Sequence, residues 1–250
     1  MTKQSDFITS KKSNWCPGCS NFSIRAALIR AFSELDLKPH KIAMVFDIGC
    51  AGNSCVLYNT YGFHGLHGRT VSVAVGAKLA NEELTVIGIA GDGGAYGEGL
   101  NHLVDAARSD FNITLIVSNN LLYSLTTGQA SPTSEKGTKT KSTPEGVDKV
   151  RLNPLLISLS AGAGFVSRGY TDQVEHLSEI FKKAISHKGF SLVDVIQPCI
   201  TLDKKNTKEW YNERVYQLDD KWPVNNRNKA LIKVQEKGDK IPIGIFFEKK

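Results

Sequence analysis

Short apolar runs alternate with amphipathic segments through the middle of the chain. Apolar runs bounded by polar residues or glycine are typical of buried strands, whereas apolar residues spaced three and four apart are typical of helices. We predict strands at 41–47, 84–90, 113–118, 165–168 and 190–196, and helices at 71–81, 97–109, 155–163 and 174–186. Strands that alternate with helices indicate an α/β fold, a parallel sheet with helices on both faces.

Two segments lack this alternation. Residues 121–150 are rich in Thr, Ser, Gly and Lys and are too long for an ordinary connection, so we predict a functional loop with few elements of its own. Residues 201–250 are polar with apolar residues only in patches, so we expect them to wrap the surface or a partner. The chain shows no internal repeat and no sharp boundary, which predicts a single domain over residues 1–250.

The composition indicates a globular protein outside the membrane. Hydrophobic residues make up 41% of the 250 residues and charged residues 22%, as is ordinary for a globular chain with a large core. No apolar stretch reaches the roughly 18 residues that a membrane span needs. The polar N-terminus lacks the apolar centre of a signal peptide, so we expect a cytoplasmic protein.

The formal net charge is +6, with lysines concentrated in 136–141 and in the tail. Such runs usually form a solvated surface, and the alternative is attraction of an acidic partner or a phosphate-bearing ligand. The sequence has no interleaved basic and aromatic patch and no recognisable nucleic-acid motif, so we do not expect nucleic-acid binding.

Gly91-Asp92-Gly93 follows a predicted strand and precedes a predicted helix, at the sheet edge where open α/β folds bind ligands. Glycines let the backbone approach phosphate oxygens, and a helix start favours an anion. Asp92 supplies a carboxylate oxygen, and Asn120 supplies an amide oxygen from the end of the next strand. Mg²⁺ needs few protein ligands when diphosphate oxygens fill its other positions. We therefore predict a diphosphate and magnesium site, the alternative being a plain turn and strand end.

This pattern resembles the thiamine diphosphate motif, in which GDG is followed by NN at the end of the next strand. The resemblance implies that Asp92, Asn120 and the backbone carbonyl of Leu122 hold magnesium. It also implies that Gly91 and Gly93 line the diphosphate.

Five cysteines in a cytoplasmic chain favour metal binding or catalysis over disulfides. Cys16 and Cys19 lie in WCPGC, Cys50 ends a predicted strand, and Cys199 follows the last predicted strand of the sheet. Four thiolates suit either zinc or a 4Fe–4S cluster, and their spacing does not decide between the two. A thiamine site beside them favours the cluster, because a cluster can accept electrons there. We interpret Cys55 as a small buried apolar residue.

Together these motifs resemble the beta subunit of 2-oxoacid:ferredoxin oxidoreductases. The similarity extends from Trp15 to about Tyr216 and returns at 241–246. The segments that carry it are WCPGC, IGC, NTYGFHGLHGR, GDGGAYGEG, NNLLYSLTTGQASPT, IQPC and NTKEWYNERVY.

The resemblance implies that this chain holds the diphosphate half of thiamine diphosphate and a 4Fe–4S cluster bound in part by the segment of about 1–20. An alpha subunit would supply the pyrimidine-binding domain and the activating glutamate, so this chain alone would be catalytically incomplete. The implied reaction converts a 2-oxoacid and coenzyme A to acyl-CoA and carbon dioxide. Electrons would pass from thiamine diphosphate through the cluster to ferredoxin, and the tail of about 201–250 would cover the partner.

Further residues are implied by the same resemblance. His67 matches a family histidine close to the thiamine diphosphate, and we assign it a catalytic role. The residues expected to line the cofactor are Ile48, Gly49, Cys50, Ala51, Leu125 and Thr126.

The chain departs from the family pattern in three places. Gly94 replaces the aspartate of GDGD, which removes a carboxylate next to the site. Residues 123–129, YSLTTGQ, replace YGMTGGQ. Asn53 stands where many members carry a basic residue that can hold the substrate carboxylate, so the identity of the 2-oxoacid stays open.

Two other functions remain open at this point. One is a non-redox 2-oxoacid decarboxylase subunit with structural zinc on the cysteines. The other is an electron-transfer or assembly subunit without catalysis, which the presence of Asp92 and Asn120 argues against. A cluster protein is brown and a zinc protein is colourless, so optical absorption separates these hypotheses.

Overall fold

The computed structural model describes residues 1–236 and 238–250. Its strands are β1 Ile42–Phe46, β2 Tyr61–His64, β3 Thr85–Gly91, β4 Thr114–Asn119, β5 Leu122–Tyr123, β6 Gln129–Ala130, β7 Phe165–Tyr170, β8 Ser191–Ile196, β9 Val215–Gln217 and β10 Ile241–Glu248. Its α-helices are α1 Asn21–Glu34, α2 Thr70–Ala80, α3 Leu100–Arg108, α4 Pro154–Ala161, α5 Val174–Ser186, α6 Lys208–Asn212 and α7 Arg227–Lys233. Short 3₁₀ turns cover Gln4–Phe7, Pro39–Lys41 and Gly52–Leu57, and a π-helical turn covers Gly94–Glu98.

Eight strands form one sheet in the order β2-β1-β3-β4-β8-β7-β10-β9. Neighbouring strands from β2 to β7 run parallel, whereas β10 runs antiparallel to β7 and parallel to β9. Parallel strands place their carboxyl ends at a common edge, and that edge carries the polar residues that follow β1, β3, β4 and β8. The predicted α/β fold, a parallel sheet with helices on both faces, is confirmed.

Helices cover the two faces of the sheet and build two apolar cores. α1 and α5 pack together on one face, where Leu28 and Phe181 are fully buried. α2, α3, α4 and α7 contribute to the core of the other face, which includes Leu103 and Leu159. Because both faces are covered, the central strands β4 and β8 are buried along their whole length.

The strands and helices predicted between residues 41 and 196 are confirmed, with ends that differ by a few residues. The helix predicted at 97–109 begins with the π-helical turn and continues as α3. As expected, the long loop at 121–150 has little regular structure, and its one regular feature is the short β5–β6 hairpin. Helix α1 and strand β2 were not among the predicted elements.

Part of the tail, which the sequence led us to expect around the surface or a partner, belongs to the sheet and its core. β10 joins the main sheet, and Phe246 is fully buried there. Tyr211 of α6 is also buried and packs with Tyr170 and Ile243 in a third apolar cluster. Pro242 and Gly244 interrupt the apolar run of β10, which hides the strand in the sequence. No helix in the described part of the chain is long and apolar enough to span a membrane.

Candidate functional site

The carboxyl ends of neighbouring strands bring polar residues together at one edge of the sheet. Asp47 follows β1, Asp92 follows β3, Asn119 ends β4 and Gln197 follows β8. Backbone hydrogen bonds extend the sheet into this edge, since the N–H of Asp47 donates to the carbonyl of Ile89 and that of Gln197 to the carbonyl of Asn119, both at 2.9 Å. These bonds continue the sheet ladder up to the site residues at the edge.

Asp92 is the buried carboxylate at the centre of this edge. Its Oδ2 accepts hydrogen bonds from the hydroxyls of Ser131 at 2.5 Å and Thr133 at 2.6 Å. Burial raises the pKa of Asp92 to about 6, while these hydroxyls and the backbone amide of Asn120 oppose the rise. Because burial disfavours the ionised form of Asp92, a cation bound beside this carboxylate would stabilise it.

Asn120 lies beside Asp92 and is fixed by its own hydrogen bonds. Its Oδ1 accepts from the N–H of Leu122 at 3.1 Å and from the hydroxyl of Ser124 at 3.0 Å. Its Nδ2 donates to Oε1 of Gln197 at 3.1 Å. The expected magnesium residues Asp92, Asn120 and Leu122 are thus buried at one place, and their carboxylate, amide and carbonyl oxygens are the hard ligands that Mg²⁺ prefers.

A buried network that sequence reasoning missed extends from this site into the sheet. The Thr133 hydroxyl lies 3.0 Å from Oδ1 of Asn119, whose Nδ2 donates to Oδ1 of Asp194 at 3.0 Å. Tyr96 also donates to Oδ1 of Asp194, and Arg168 pairs with its Oδ2 at 3.2 Å. The polar Asp194 inside an apolar strand was the available sequence signal.

Two glycines of the GDGG turn are required by close packing. A Cβ on Gly93 would overlap the ring of Tyr123. A Cβ on Gly94 would overlap Oδ2 of Asp47 and lie 3.1 Å from Cε1 of His67. The carboxylate of Asp47, from the end of β1, therefore occupies the space next to Gly94. Gly91 ends β3 and positions the turn.

His67 lies between two carboxylates. Its Nδ1 is 3.5 Å from Oδ1 of Asp47, and its Nε2 is 3.3 Å from Oε2 of Glu98. Tyr123 donates to the same Glu98 carboxylate and packs against the His67 ring at a centroid distance of 5.9 Å. This places the predicted catalytic histidine next to the GDGG turn.

The segments that carry the cysteines meet at the same edge. The indole N–H of Trp15 donates to the carbonyl of Cys50 at 2.6 Å. Nε2 of Gln197, two residues before Cys199, lies 3.9 Å from Sγ of Cys19. The WCPGC segment is thereby joined to the strand ends.

Two of the thiols, Cys50 and Cys19, lie in an environment that disfavours their thiolate form. Burial raises the pKa of Cys50 to about 11, and Cys19, Cys199 and Cys16 add to the rise. Burial also raises the pKa of Cys19, with further contributions from Cys16 and Cys199. Even so, no three His, Cys, Asp or Glu side chains within residues 1–236 and 238–250 are arranged to hold a metal ion. The cluster therefore stays a prediction.

The residues expected to line the thiamine ring differ in exposure. Ile48, Leu125 and Thr126 are exposed, whereas Ala51 is buried. Gly49 has a φ of 137°, a conformation that favours glycine in the turn leading to Cys50. The structure places these residues on the loops after β1 and β5, and their contact with a cofactor stays a prediction.

Two family models match the chain. Residues 47–195 match the thiamine pyrophosphate enzyme, C-terminal TPP binding domain. Residues 199–250 match the C-terminal region of the pyruvate ferredoxin oxidoreductase beta subunit. The first match includes Asp47, the GDGG turn and the Asn119–Asn120 strand end, and the second begins at Cys199 and spans the tail.

Individual relatives agree with these matches. The 2-oxoacid:ferredoxin oxidoreductase subunit beta of Saccharolobus solfataricus is 46% identical over 94% of this chain and 81% of that protein. A solved 2-oxoglutarate:ferredoxin oxidoreductase from Magnetococcus marinus, with 2-oxoglutarate, coenzyme A and succinyl-CoA bound, matches with a TM-score of 0.97 and 31% identity. That match covers 100% of this chain and 86% of the other.

A more distant structure shares the fold alone. The thiamine diphosphate-dependent 4-hydroxybenzoylformate decarboxylase of Rhodococcus jostii matches with a TM-score of 0.50 and 21% identity, over 75% of this chain and 34% of that one. The thiamine diphosphate-binding fold expected from the sequence is therefore confirmed.

Proposed function

The chain belongs to the family of 2-oxoacid:ferredoxin oxidoreductase beta subunits, and we propose that it forms the diphosphate-binding half of such an enzyme. The proposed reaction converts a 2-oxoacid and coenzyme A to acyl-CoA and carbon dioxide. It also releases one proton and two electrons, and the two electrons reduce ferredoxin. The observation that carries the proposal is the buried Asp92 carboxylate at the GDG turn, with Asn120 beside it.

Asp92, Asn120 and the carbonyl of Leu122 would hold magnesium, and the magnesium would hold the diphosphate. When bound, thiamine diphosphate supplies the electron sink that decarboxylation of a 2-oxoacid needs. Ser131 and Thr133 orient the Asp92 carboxylate by their hydrogen bonds. To ligate the metal with Oδ1, Asn120 would exchange one of the two hydrogen bonds that this atom now accepts.

We propose that Cys16, Cys19, Cys50 and Cys199 hold a 4Fe–4S cluster that accepts these electrons. Support comes from the meeting of their three segments beside the diphosphate edge. The sulfur atoms would move closer together when a cluster assembles. Structural zinc on the same thiolates remains the alternative, and it would accompany a non-redox decarboxylase.

An alpha subunit is the proposed partner. β2 lies at the edge of the sheet, and Tyr61, Phe63 and Leu66 on and after it are exposed apolar residues. Ile48 and Leu125, which are expected to line the thiamine, are also exposed apolar residues. Apolar surface next to a cofactor site suits a subunit interface that closes the site.

Coenzyme A is proposed as the acyl acceptor. A cavity of about 430 Å³ opens beside Leu122, and its lining carries four lysines against two acidic residues, Glu135 and Asp203. Lysines around a cavity attract phosphate groups such as those of coenzyme A. Asn53 gives no positive charge for the substrate carboxylate, so we propose that the alpha subunit supplies it.

The products of the purified alpha–beta complex test the proposal. We expect that a panel of 2-oxoacids, with coenzyme A and a low-potential acceptor, yields acyl-CoA together with reduced acceptor. Release of an aldehyde and carbon dioxide without acceptor reduction would instead support the non-redox decarboxylase.

A further inference from the structure

Asp47 carries a buried carboxylate that its contacts satisfy only in part. The side chain is fully buried, and its Oδ1 accepts a 2.8 Å hydrogen bond from the N–H of Gly68. Its Oδ2 is buried as well, and no donor in the described part of the chain reaches it. A buried carboxylate oxygen without a donor is costly. Each carboxylate oxygen can accept two hydrogen bonds, so Oδ1 has room for a second donor besides Gly68 and Oδ2 has none at all.

Gly94 is shaped around the same carboxylate. It lies in a π-helical turn and is not among the residues with left-handed φ, so its backbone conformation does not require glycine. A Cβ at this position would overlap Oδ2 of Asp47. The Asp47 carboxylate therefore fills the volume that a side chain on residue 94 would occupy.

His67 is the functional group next to this volume. Its Nδ1 is buried, lacks a hydrogen bond to any described residue, and lies 3.5 Å from Oδ1 of Asp47. A small movement of the ring would convert this separation into a hydrogen bond. On the opposite side of the ring lie Glu98, whose side chain is 46% exposed, and Tyr123. Glu98 is therefore partly solvated, whereas the Asp47 carboxylate beside Nδ1 is closed off from water.

We propose that Asp47 is a positioning residue for His67, a role that rests on the proposed function of this site. Its carboxylate accepts the proton on Nδ1 of His67 and so fixes the ring orientation and the tautomer. Nε2 then faces the side of the site formed by Glu98, Tyr123 and the GDGG turn. The arrangement also needs glycine at position 94, because any side chain there would displace the Asp47 carboxylate.

A set of paired substitutions separates the charge of Asp47 from its volume. Asp47→Ala removes the carboxylate, Gly94→Asp adds one at the neighbouring position, and the double variant moves it from residue 47 to residue 94. Gly94→Ala, alone and with Asp47→Ala, is the matched control that adds a Cβ without a charge. Asp47→Ser repeats each member of the set if the alanine variant fails to fold.

The first readout is the nitrogen-15 NMR signal of His67 in the full chain, because it distinguishes a proton on Nδ1 from one on Nε2. We expect the Nδ1 proton in the unmodified chain, its loss in Asp47→Ala and in Asp47→Ala with Gly94→Ala, and its return when Asp47→Ala is combined with Gly94→Asp. A purely structural role for Asp47 would leave the tautomer of His67 unchanged in all variants, and that result would overturn the proposal.

The second readout is the midpoint of thermal unfolding. Gly94→Asp and Gly94→Ala should each lower it by about 5–10 °C through overpacking against Asp47. In the Asp47→Ala background both substitutions should lower it far less. If the Gly94 substitutions lowered the midpoint equally with and without the Asp47 carboxylate, the two residues would not compete for the same space.

Neither readout needs cofactor, partner or turnover. Failure of the complex to oxidise 2-oxoacids would therefore sink the proposed function and leave these two results standing. An unchanged His67 tautomer would remove the positioning role and leave the proposed function intact.

Discussion

The hydroxyl of Thr133 donates a 2.6 Å hydrogen bond to Oδ2 of Asp92, although 41 residues separate them in sequence. The contact joins the turn after β3 to the long loop that follows β4. Both residues are buried, so the loop forms part of the site and does not merely cover it. The orientation of the Asp92 carboxylate, and with it the proposed magnesium site, depends on this loop.

Thr133→Val keeps the shape of the side chain and removes its hydroxyl. Losing a residue that orients a metal ligand usually lowers metal affinity by about 10–100-fold. We therefore expect Thr133→Val to weaken the binding of thiamine diphosphate and Mg²⁺ by a factor of this size. Thr171→Val is the matched control, because Thr171 is also fully buried but its hydroxyl has no hydrogen-bond partner among the described residues. Calorimetric titration of the alpha–beta complex compares the two, and equal affinities would contradict the role of Thr133.

Asp92→Ala removes the carboxylate that we assign to magnesium. Thiamine diphosphate should then fail to bind at ordinary magnesium concentrations, while the visible absorption of the cluster persists, because the cysteines lie on other segments. Asp105→Ala on the exposed face of α3 is the control and should bind normally. Unchanged cofactor affinity in Asp92→Ala would show that the magnesium ligand lies elsewhere.

The stability of the metal-free chain should depend on pH through Asp92. Burial raises the pKa of this carboxyl from 3.8 to about 6, so between these values the folded chain holds a proton that the unfolded chain has released. Stability therefore falls as pH rises from about 4 to about 6, by about 3 kcal/mol for this group. Denaturant unfolding gives the free energy of unfolding of the unmodified chain and of Asp92→Asn at each pH. The difference between the two free energies should change by this amount from about pH 4 to about pH 6. Parallel pH curves for the two proteins would contradict it.

The cysteine assignment predicts four equivalent losses and one neutral change. Replacing Cys16, Cys19, Cys50 or Cys199 by Ala should lower the iron content and bleach the visible absorption, because each removes a thiolate ligand. Cys55→Ala should leave both unchanged. Its sulfur lies 3.7 Å from Nδ1 of His64, and the residue is half-buried, not fully buried as the sequence predicted. Bleaching by Cys55→Ala together with an intact spectrum in one of the other four would show that the ligand set is wrong.

The sequence predicts the part of the fold that is built from short apolar strands ending in polar residues. β3 and β4 are such strands, and their position in a parallel sheet brings Asp92 and Asn120 to one edge. Helix α1 escaped prediction although Ile24, Leu28 and Phe32 are spaced as on a helix face.

The partners of the site residues could not be predicted in the same way. That Asp47 meets Gly94, and that Thr133 meets Asp92, depends on sheet register and on the path of a long loop. Neither is encoded in a local pattern of apolar and polar residues. The sequence therefore identifies the proposed metal-binding groups, and the tertiary structure identifies the residues that orient them.

The most direct test of the account is whether turnover requires both subunits. The chain, the alpha subunit and their complex are each supplied with thiamine diphosphate, Mg²⁺, coenzyme A, a low-potential acceptor and a panel of 2-oxoacids, and acyl-CoA is measured. We expect acyl-CoA only from the complex, because the activating glutamate and the pyrimidine-binding domain are proposed to lie in the partner. Robust acyl-CoA formation by this chain alone would contradict the central claim that it is one half of a divided active site.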